Sequence, residues 1–574
     1  MLPVPVQTLQ HESSCPQKLL TTYHIRPQDW IQYWMDGCPE FVGGQNASPA
    51  DNFESFWNLY ALEHPTHEVY AAHKGNLKNV VPILIHGDEG RAVKKTNYFI
   101  CSIETPFGKE DDPRVSAQCS CKSFVASRPD LPSYGRDLGL VDENYIRTGR
   151  QQLTNFKGHS YLSRWLIFGI GGWVYKKHRH VVTTLMQQLA TDMRLLFEQG
   201  ITLESGERIF GACVAIKGDL DFFQKYMELT RSYSSLGVKN KYEICHLCRA
   251  GCEQYPFEDY AEDPRWVESM LCSRPWDVQN PPPLSEIPCD RGNPEAIIAH
   301  DVFHIVKVGV GRDVIGGVLI FLLRKGFFDH PGSTKNIDDR FERSYSVFSM
   351  WCQAERHTPG LRSFTKSFFN MKNMMSAPWA SSKASDTRLL LKWLVWFLRL
   401  NLKSPSVSGF DQHLKHMLEV CESTLDINLT HHHGLWLERA CAQRLYTSMM
   451  TCLRGYAYLG TAAIRYGIRS FIQKPKQHAL HHVAHKLKKQ LLKGATLVCS
   501  PQTFACDVNE DFIGRISRLS RRVGFRLCDL RVSQRYCLKI AALLRKKKRP
   551  GLHGKLAFSK AKQRGGARLN RKGS

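Results

Sequence analysis

The chain has 574 residues, with 78 Lys and Arg against 53 Asp and Glu, giving a formal net charge of +25. At 43% hydrophobic and 11% aromatic residues it holds ample material for packed cores, which excludes wholesale disorder, and the length suits roughly three domains. Its longest apolar runs, Val314 to Leu323 and Leu166 to Val174, are interrupted by glycine and fall short of the roughly 18 residues of a membrane span.

The first residues, MLPVPVQTLQHESSC, lack a basic segment followed by an apolar one, so no secretory signal is expected. An odd total of 19 scattered cysteines does not suit a disulfide framework and points to a reducing compartment, with close pairs available to metal. The 1–75 segment, rich in aromatics (Trp30, Trp34, Phe41, Trp57, Tyr60), reads as a helical leader without a motif. At Val80 the character changes. Val80, Val81, Ile83, Leu84 and Ile85 form a β-branched run ending at His86-Gly87-Asp88-Glu89-Gly90, and Tyr98 to Ile103 follows as an antiparallel partner across a basic connection (Arg91, Lys94, Lys95).

Residues 110–160 are polar and rich in Pro and Gly, the pattern of a long loop or insertion. Val181, Leu185, Leu189, Met193, Leu196 and Phe197 recur at helical spacing, and Arg208 to Ile216 reads as a third buried strand running into Lys217-Gly218-Asp219. This order predicts an α/β core with a mixed sheet over 76–240. A Cys-rich segment with a Pro-rich linker (Pro281 to Pro283) spans 241–295. A continuation of the core and a large helical insertion occupy 296–470, and a basic helical part 471–544. A tail over 545–574 with twelve cations and no acid reads as disordered, its Arg545-Lys546-Lys547-Lys548-Arg549 run suited to nuclear addressing or to phosphate backbones.

Three groups carry candidate chemistry. Asp88 and Asp219, each at the end of a predicted buried strand, can converge on hard cations such as Mg²⁺ or Mn²⁺, which prefer oxygen ligands; the competing reading is that Asp favours turns. Cys245-x2-Cys248 supplies half of a tetrahedral Zn²⁺ site, for which Cys272 and Cys289 are the preferred partners and Cys252 and His246 alternatives. Asp301-x2-His304 places two further ligand types about one helical turn apart.

The strings Pro82-Ile83-Leu84-Ile85-His86-Gly87-Asp88-Glu89-Gly90, Lys217-Gly218-Asp219-Leu220 and Tyr242-Glu243-Ile244-Cys245-His246-Leu247-Cys248 resemble, in this order, DDE-type transposase-like proteins of the Plavaka and Kyakuja-Dileera-Zisupton group. His300-Asp301-Val302-Phe303-His304 with Asp313 looks like that group's Asp-x2-His segment, and Lys474-Pro475-Lys476-Gln477-His478 with His481-His482 like its Pro-Lys-x-His segment. The resemblance covers roughly 78–540.

It implies an RNase H-like fold with a zinc-knuckle insertion and a large helical inserted domain. Its acids would be Asp88, Asp219 and a late one, first choice Glu510 at the head of a basic helix, then Asp301 or Glu438. It also implies Mg²⁺- or Mn²⁺-dependent DNA strand cleavage or transfer in the nucleus. Arg515, Arg518, Arg521, Arg522 and the 545–549 run would contact DNA, no membrane would be involved, and the protein would self-associate. The chain departs from the group in showing no N-terminal zinc-finger DNA reader and no unambiguous third acid. The alternative is therefore a catalytically inactive, transposon-derived nucleic-acid-binding protein.

Overall fold

The computed structural model describes residues 3–547 apart from 12–19, 45–46, 93–95, 109–158, 240–241, 374–375, 403–408 and 430–433. The polar insertion expected over 110–160 lies, up to residue 158, outside the described residues, as do Lys94, Lys95 and the tail from Lys548, including Arg549.

The leader begins with strands rather than helices. β1 (Gln7–His11) and β2 (Leu20–His24) form an antiparallel pair, followed by α1 (Pro27–Gly37), α2 (Glu40–Gly43), α3 (Pro49–Tyr60) and α4 (Glu68–Ala72). The aromatics explain its attachment, because a buried indole contributes a large apolar area yet must satisfy one N–H. Trp30 Nε1 donates to the Leu166 carbonyl and Trp57 Nε1 to that of Val80, both at 2.8 Å, so the leader is fastened to the backbone of the main sheet.

That sheet is five-stranded and mixed. β3 (Val80–Arg91) and β4 (Asn97–Glu104) are antiparallel; after α5 (Ser160–Ser163) comes β5 (Trp165–Gly171), antiparallel to β4. α6 (Gly172–Tyr175) and α7 (His180–Glu198) lead to the short β6 (Ile201–Thr202) and to β7 (Arg208–Lys217), which lies parallel to β3. The spatial order is β5-β4-β3-β7-β6, and beyond the end of β6 the Ile298 backbone bridges Ile216 in parallel sense. β3 does not stop at His86, as its apolar run suggested, but continues to Arg91, so Asp88 sits inside a paired strand opposite Ile100. α8 (Leu220–Tyr226) starts directly after β7, capped by Asp219, whose side chain accepts from Phe222 N.

Downstream, Pro281 to Pro283 is packed rather than loose: Gln187 and Arg194 of α7 both donate to the Glu286 side chain just beyond it. A wide π-helical segment over Phe303–Val310 runs into α9 (Gly311–Arg324). There follow α10 (Ile337–Ala354), α11 (Ala384–Asn401), α12 (Gly409–Leu429), β8 (Trp436–Glu438), α13 (Arg439–Arg465), α14 (Pro475–Leu492) and β9 (Leu497–Cys499).

The apolar faces of these helices make a second core, separate from that of the sheet. α14 belongs to this helical core, so the change back to the sheet falls after β9 and not near residue 471. The last two helices, α15 (Asp507–Ser520) and α16 (Cys528–Lys547), pack on the sheet, where Tyr536 of α16 donates its hydroxyl to the Arg164 carbonyl at 2.6 Å. Arg545, Lys546 and Lys547, expected in the tail, form the last turn of α16. No helix among the described residues is long and apolar enough to cross a membrane.

Candidate functional site

Two glycines shape the cleft at the end of β3 and β7. A Cβ on Gly87 would collide with the Phe222 ring, and one on Gly90 with Ser517. Their absence of side chains lets α8 and α15 approach β3 closely enough to bring their own acids to Asp88. Asp219, held as the N-cap of α8 by Phe222 N at 2.6 Å, lines with Asp88, Glu89 and Asp221 a cleft of about 210 Å³. Glu510, in the first turn of α15, faces this end of β3, and its charge acts on Asp88. Carboxylates separated by up to 422 positions in the chain therefore act on one another at this cleft.

The electrostatics follow. Burial, reinforced by the charges of Glu510 and Asp219, pushes the Asp88 carboxyl up to about 8, and burial also raises that of Glu510 against the opposing pull of His304. Like charges held this close resist ionising together, so a cation bound between them would relieve the repulsion.

Beneath α15 lies a fully buried ion network. Glu104 receives Arg164 Nε at 2.9 Å and Lys217 Nζ at 2.7 Å, all three side chains 0% exposed. Asn509, the neighbour of Glu510, donates to the same carboxylate at 2.9 Å, and Lys217 also donates to the Ala505 carbonyl. The network ties β4, β7, the α5–β5 junction and the start of α15 into one frame.

Asp301 is not a member of the carboxylate cluster. Its Oδ1 accepts from Phe303 N and Cys506 N, at 2.8 and 3.0 Å, and its Oδ2 lies 2.5 Å from His304 Nδ1. Three of its acceptor positions are thus engaged, two by backbone N–H groups and one by His304. Glu438 closes β8 opposite Leu497.

About the cysteine pair, a second cluster forms: Cys245, Cys248, His478 and His482, all buried, with ligand atoms within 4.8 Å of one another. Cys245 Sγ lies 3.3 Å from His482 Nε2, Cys248 Sγ lies 3.2 and 3.3 Å from the Nε2 atoms of His478 and His482, and these two nitrogens are 3.1 Å apart. A tetrahedral zinc with Zn–S of ~2.3 Å and Zn–N of ~2.0 Å needs ligand edges of roughly 3.3 to 3.8 Å, so this set could hold zinc with a slight expansion.

The loop that presents the thiols is fixed by Arg231, which donates to the carbonyls of Cys245, His246 and Ser273. Trp266, 0% exposed, walls off the histidines, its ring 4.4 Å from that of His482. Burial opposes ionisation of Cys245, but the Cys248 thiol and the two imidazoles hold it well below the ordinary thiol range.

The preferred partners Cys272 and Cys289 are not in this cluster. Cys272 is exposed and bonds to the Glu268 and Met270 carbonyls; Cys289 is buried in the sheet core, where burial pushes its thiol up to about 12. Cys252 is directed to the Arg249 carbonyl, and the His246 ring lies tilted against that of His300, centroids 5.0 Å apart. The ligands that sequence reasoning missed, His478 and His482, lie four apart on α14. That spacing puts two imidazoles on one helical face, a signal present in the sequence but noted only as part of a resemblance.

No family model and no curated protein matches the chain.

The basic residues divide by their engagement. Arg515 is committed internally, 2.5 Å from Asp511 Oδ2 and 3.1 Å from His159 Nε2. Arg521 donates to the Arg91 carbonyl but stays exposed. Arg518 and Arg522 of the α15 end, and Arg531, Arg535, Lys539 and Arg545 along α16, are exposed.

Proposed function

We propose that the chain is a metal-dependent DNA strand-cleaving or strand-transferring protein with an RNase H-like core, in which Asp88, Asp219 and Glu510 hold the divalent ions. The observation that supports it most is that Asp88 and Asp219 line one cleft, with the charge of Glu510, 422 positions away in sequence, acting on the same carboxyl. Half-buried acids held near one another against their mutual repulsion favour a role in which a cation relieves it.

Mg²⁺ or Mn²⁺ bound there would supply charge stabilisation to the attacking and leaving oxygens of an in-line displacement at phosphorus. The residues would do the remainder. Asp88, rigid within β3, and Asp219, fixed by its cap bond, would set the ion positions from the sheet, while Glu510 would close the set from the helix. Lys225, which lines the cleft, and Lys476, half-buried with its stem against Gly309, would neutralise phosphate charge. The exposed cations of α15 and α16 would hold the flanking DNA backbone.

The Cys245–Cys248–His478–His482 set would be a structural zinc knuckle, since its four protein ligands leave no open position for a substrate. It would clip the 241–295 segment to α14.

The test is Mn²⁺- or Mg²⁺-dependent cleavage of duplex DNA by the full chain and by Asp88→Asn. Cleavage by the wild type, with a loss of at least about 100-fold in the variant, supports the reading. Equal activity in both removes Asp88 from the mechanism, and DNA binding without any cleavage would leave a binding protein built on this architecture.

A further inference from the structure

The approach of Glu510 to the cleft depends on a contact that the carboxylate cluster itself does not explain. The π-helical segment and the start of α15 run past each other in antiparallel sense and exchange two ion pairs at matching intervals. Lys307 Nζ lies 2.5 Å from Asp507 Oδ1, and His304 Nε2 lies 3.3 Å from Glu510 Oε1. His304 is in turn held through Nδ1 by Asp301, whose side chain is 2% exposed. The other oxygen of Asp301 accepts backbone N–H groups from both segments, Phe303 on one and Cys506 on the other. One carboxylate thus fixes the histidine and the helix start that the histidine faces.

We propose that His304, clamped by Asp301, is the positioning residue that aims Glu510 at the ion shared with Asp88. The role rests on the metal-dependent reading of the cleft. A glutamate has three side-chain torsions, and on the first turn of an otherwise docked helix nothing in the cleft alone selects the rotamer that reaches Asp88. A ring held at Nδ1 presents Nε2 in one direction, so it fixes one Glu510 oxygen and leaves the other free for a cation. Groups that orient a metal-binding carboxylate in this way typically change metal affinity or activity by roughly 10- to 100-fold when removed.

Asp301, His304 and Cys506 also lie within 4.8 Å of one another and could themselves be a metal set. The three donors on Asp301 argue against it, as does burial, which raises the Cys506 thiol well above its ordinary range.

The experiment measures the Mn²⁺ concentration for half-maximal DNA cleavage, and Mn²⁺ binding by calorimetry, in the full chain. The proteins are wild type, His304→Ala, His304→Gln, Glu510→Gln and the double variant His304→Ala/Glu510→Gln, each checked for zinc content and thermal unfolding. A Mn²⁺ midpoint raised roughly 10- to 100-fold in His304→Ala, a smaller rise in His304→Gln, whose amide can still donate to Glu510, and a double variant no worse than Glu510→Gln alone are the expected results. Should His304→Ala fail to fold, His304→Gln carries the comparison.

An unchanged midpoint in folded variants, or effects of His304→Ala and Glu510→Gln that simply add, overturns the role of His304 while leaving the function standing. A second tightly bound metal lost on His304→Ala overturns it in favour of the Asp301–His304–Cys506 set. A wild type that neither binds Mn²⁺ nor cleaves DNA overturns the function and this role together.

Discussion

Cys245, Cys248, His478 and His482 illustrate how much a single residue can depend on distant chain. The two thiols come from a loop with no regular structure, and the two imidazoles from a helix more than 200 positions later. A bound zinc would join them directly, and its loss would leave two thiols and two imidazoles facing one another in an apolar setting closed by Trp266. Cys248→Ser or His482→Ala is expected to abolish about one equivalent of zinc and to lower the unfolding temperature by several degrees. Cys272→Ser and Cys289→Ser should retain the zinc. Elemental analysis of the four variants, purified without chelator, checks this. A zinc-free wild type, or zinc retained in Cys248→Ser, would show buried free thiols instead.

Asp192 is a residue whose titration has a definite sign. It is 3% exposed on α7, one oxygen accepting from Gln188 and the other without a partner. Burial raises its carboxyl from 3.8 to about 6. The folded state therefore binds this proton more tightly than the unfolded chain, and stability falls as pH rises from about 4 to about 6, then stays level. At 1.36 kcal/mol per pH unit the loss is at most roughly 3 kcal/mol. Asp192→Asn should equal the wild type near pH 4 and become the more stable protein above pH 6. Chemical denaturation at pH 4 and pH 7.5 reads the difference, and a constant gap between the two proteins would contradict it.

At the scale of elements, what could be read from sequence was what local pattern determines. The β-branched run from Val80, the strand over Tyr98 to Ile103, the run Arg208 to Ile216 and the helical spacing of Val181 to Phe197 correspond to β3, β4, β7 and α7. β5 was legible only as an apolar run. Gly169 and Gly171 break its side-chain alternation, and they are glycines because Tyr98 and Trp173 occupy the space a Cβ would take.

The expected leader of helices missed β1 and β2, whose five-residue alternation is mixed with polar residues such as Gln7, Gln10 and Thr21. The role of Asp301 was not legible at all, because it depends on the backbone N–H of Cys506, 205 positions away. Glu510, the first choice for the late acid, acts by its charge on Asp88; Cys272 and Cys289 are not brought to the thiol pair, since spacing in sequence carries no information about which loop folds against which helix.

The buried Glu104–Arg164–Lys217 network belongs to this scale, for it joins elements rather than residues. Two cations share one carboxylate with no access to water. Replacing Glu104 by Ala removes the nearest counterion of both buried charges, which is expected to destabilise the fold by about 3 to 5 kcal/mol. It should also loosen α15 through Asn509. Urea unfolding measures the first effect. A loss below about 1 kcal/mol would mean that water reaches Arg164 and Lys217 and that the network is not the frame proposed for the cleft.

At the scale of the whole molecule, the charge of +25 is distributed so that acids gather in the cleft while cations line α15, α16 and the chain beyond Lys547. A polyanion would then be drawn along the helices and meet the carboxylates only where a divalent ion bridges them. Truncation after Lys547 should weaken DNA binding similarly on every sequence and reduce its salt dependence, because contacts to phosphate carry no base information. The unfolding temperature should barely change. A salt slope unaltered by truncation would place the DNA surface on α15 and α16 alone.

On the proposed reading, Asp88, Asp219 and Glu510 share a divalent ion. Anomalous scattering at the manganese edge from crystals of the full chain soaked in Mn²⁺ tests it most directly. A peak is expected within ligand distance of all three carboxylates, at oxygen–metal separations of about 2.0 to 2.2 Å, and lost in Asp88→Asn crystals. A clean map with no peak between these residues, while the same crystals show zinc at Cys245 and His482, would contradict it.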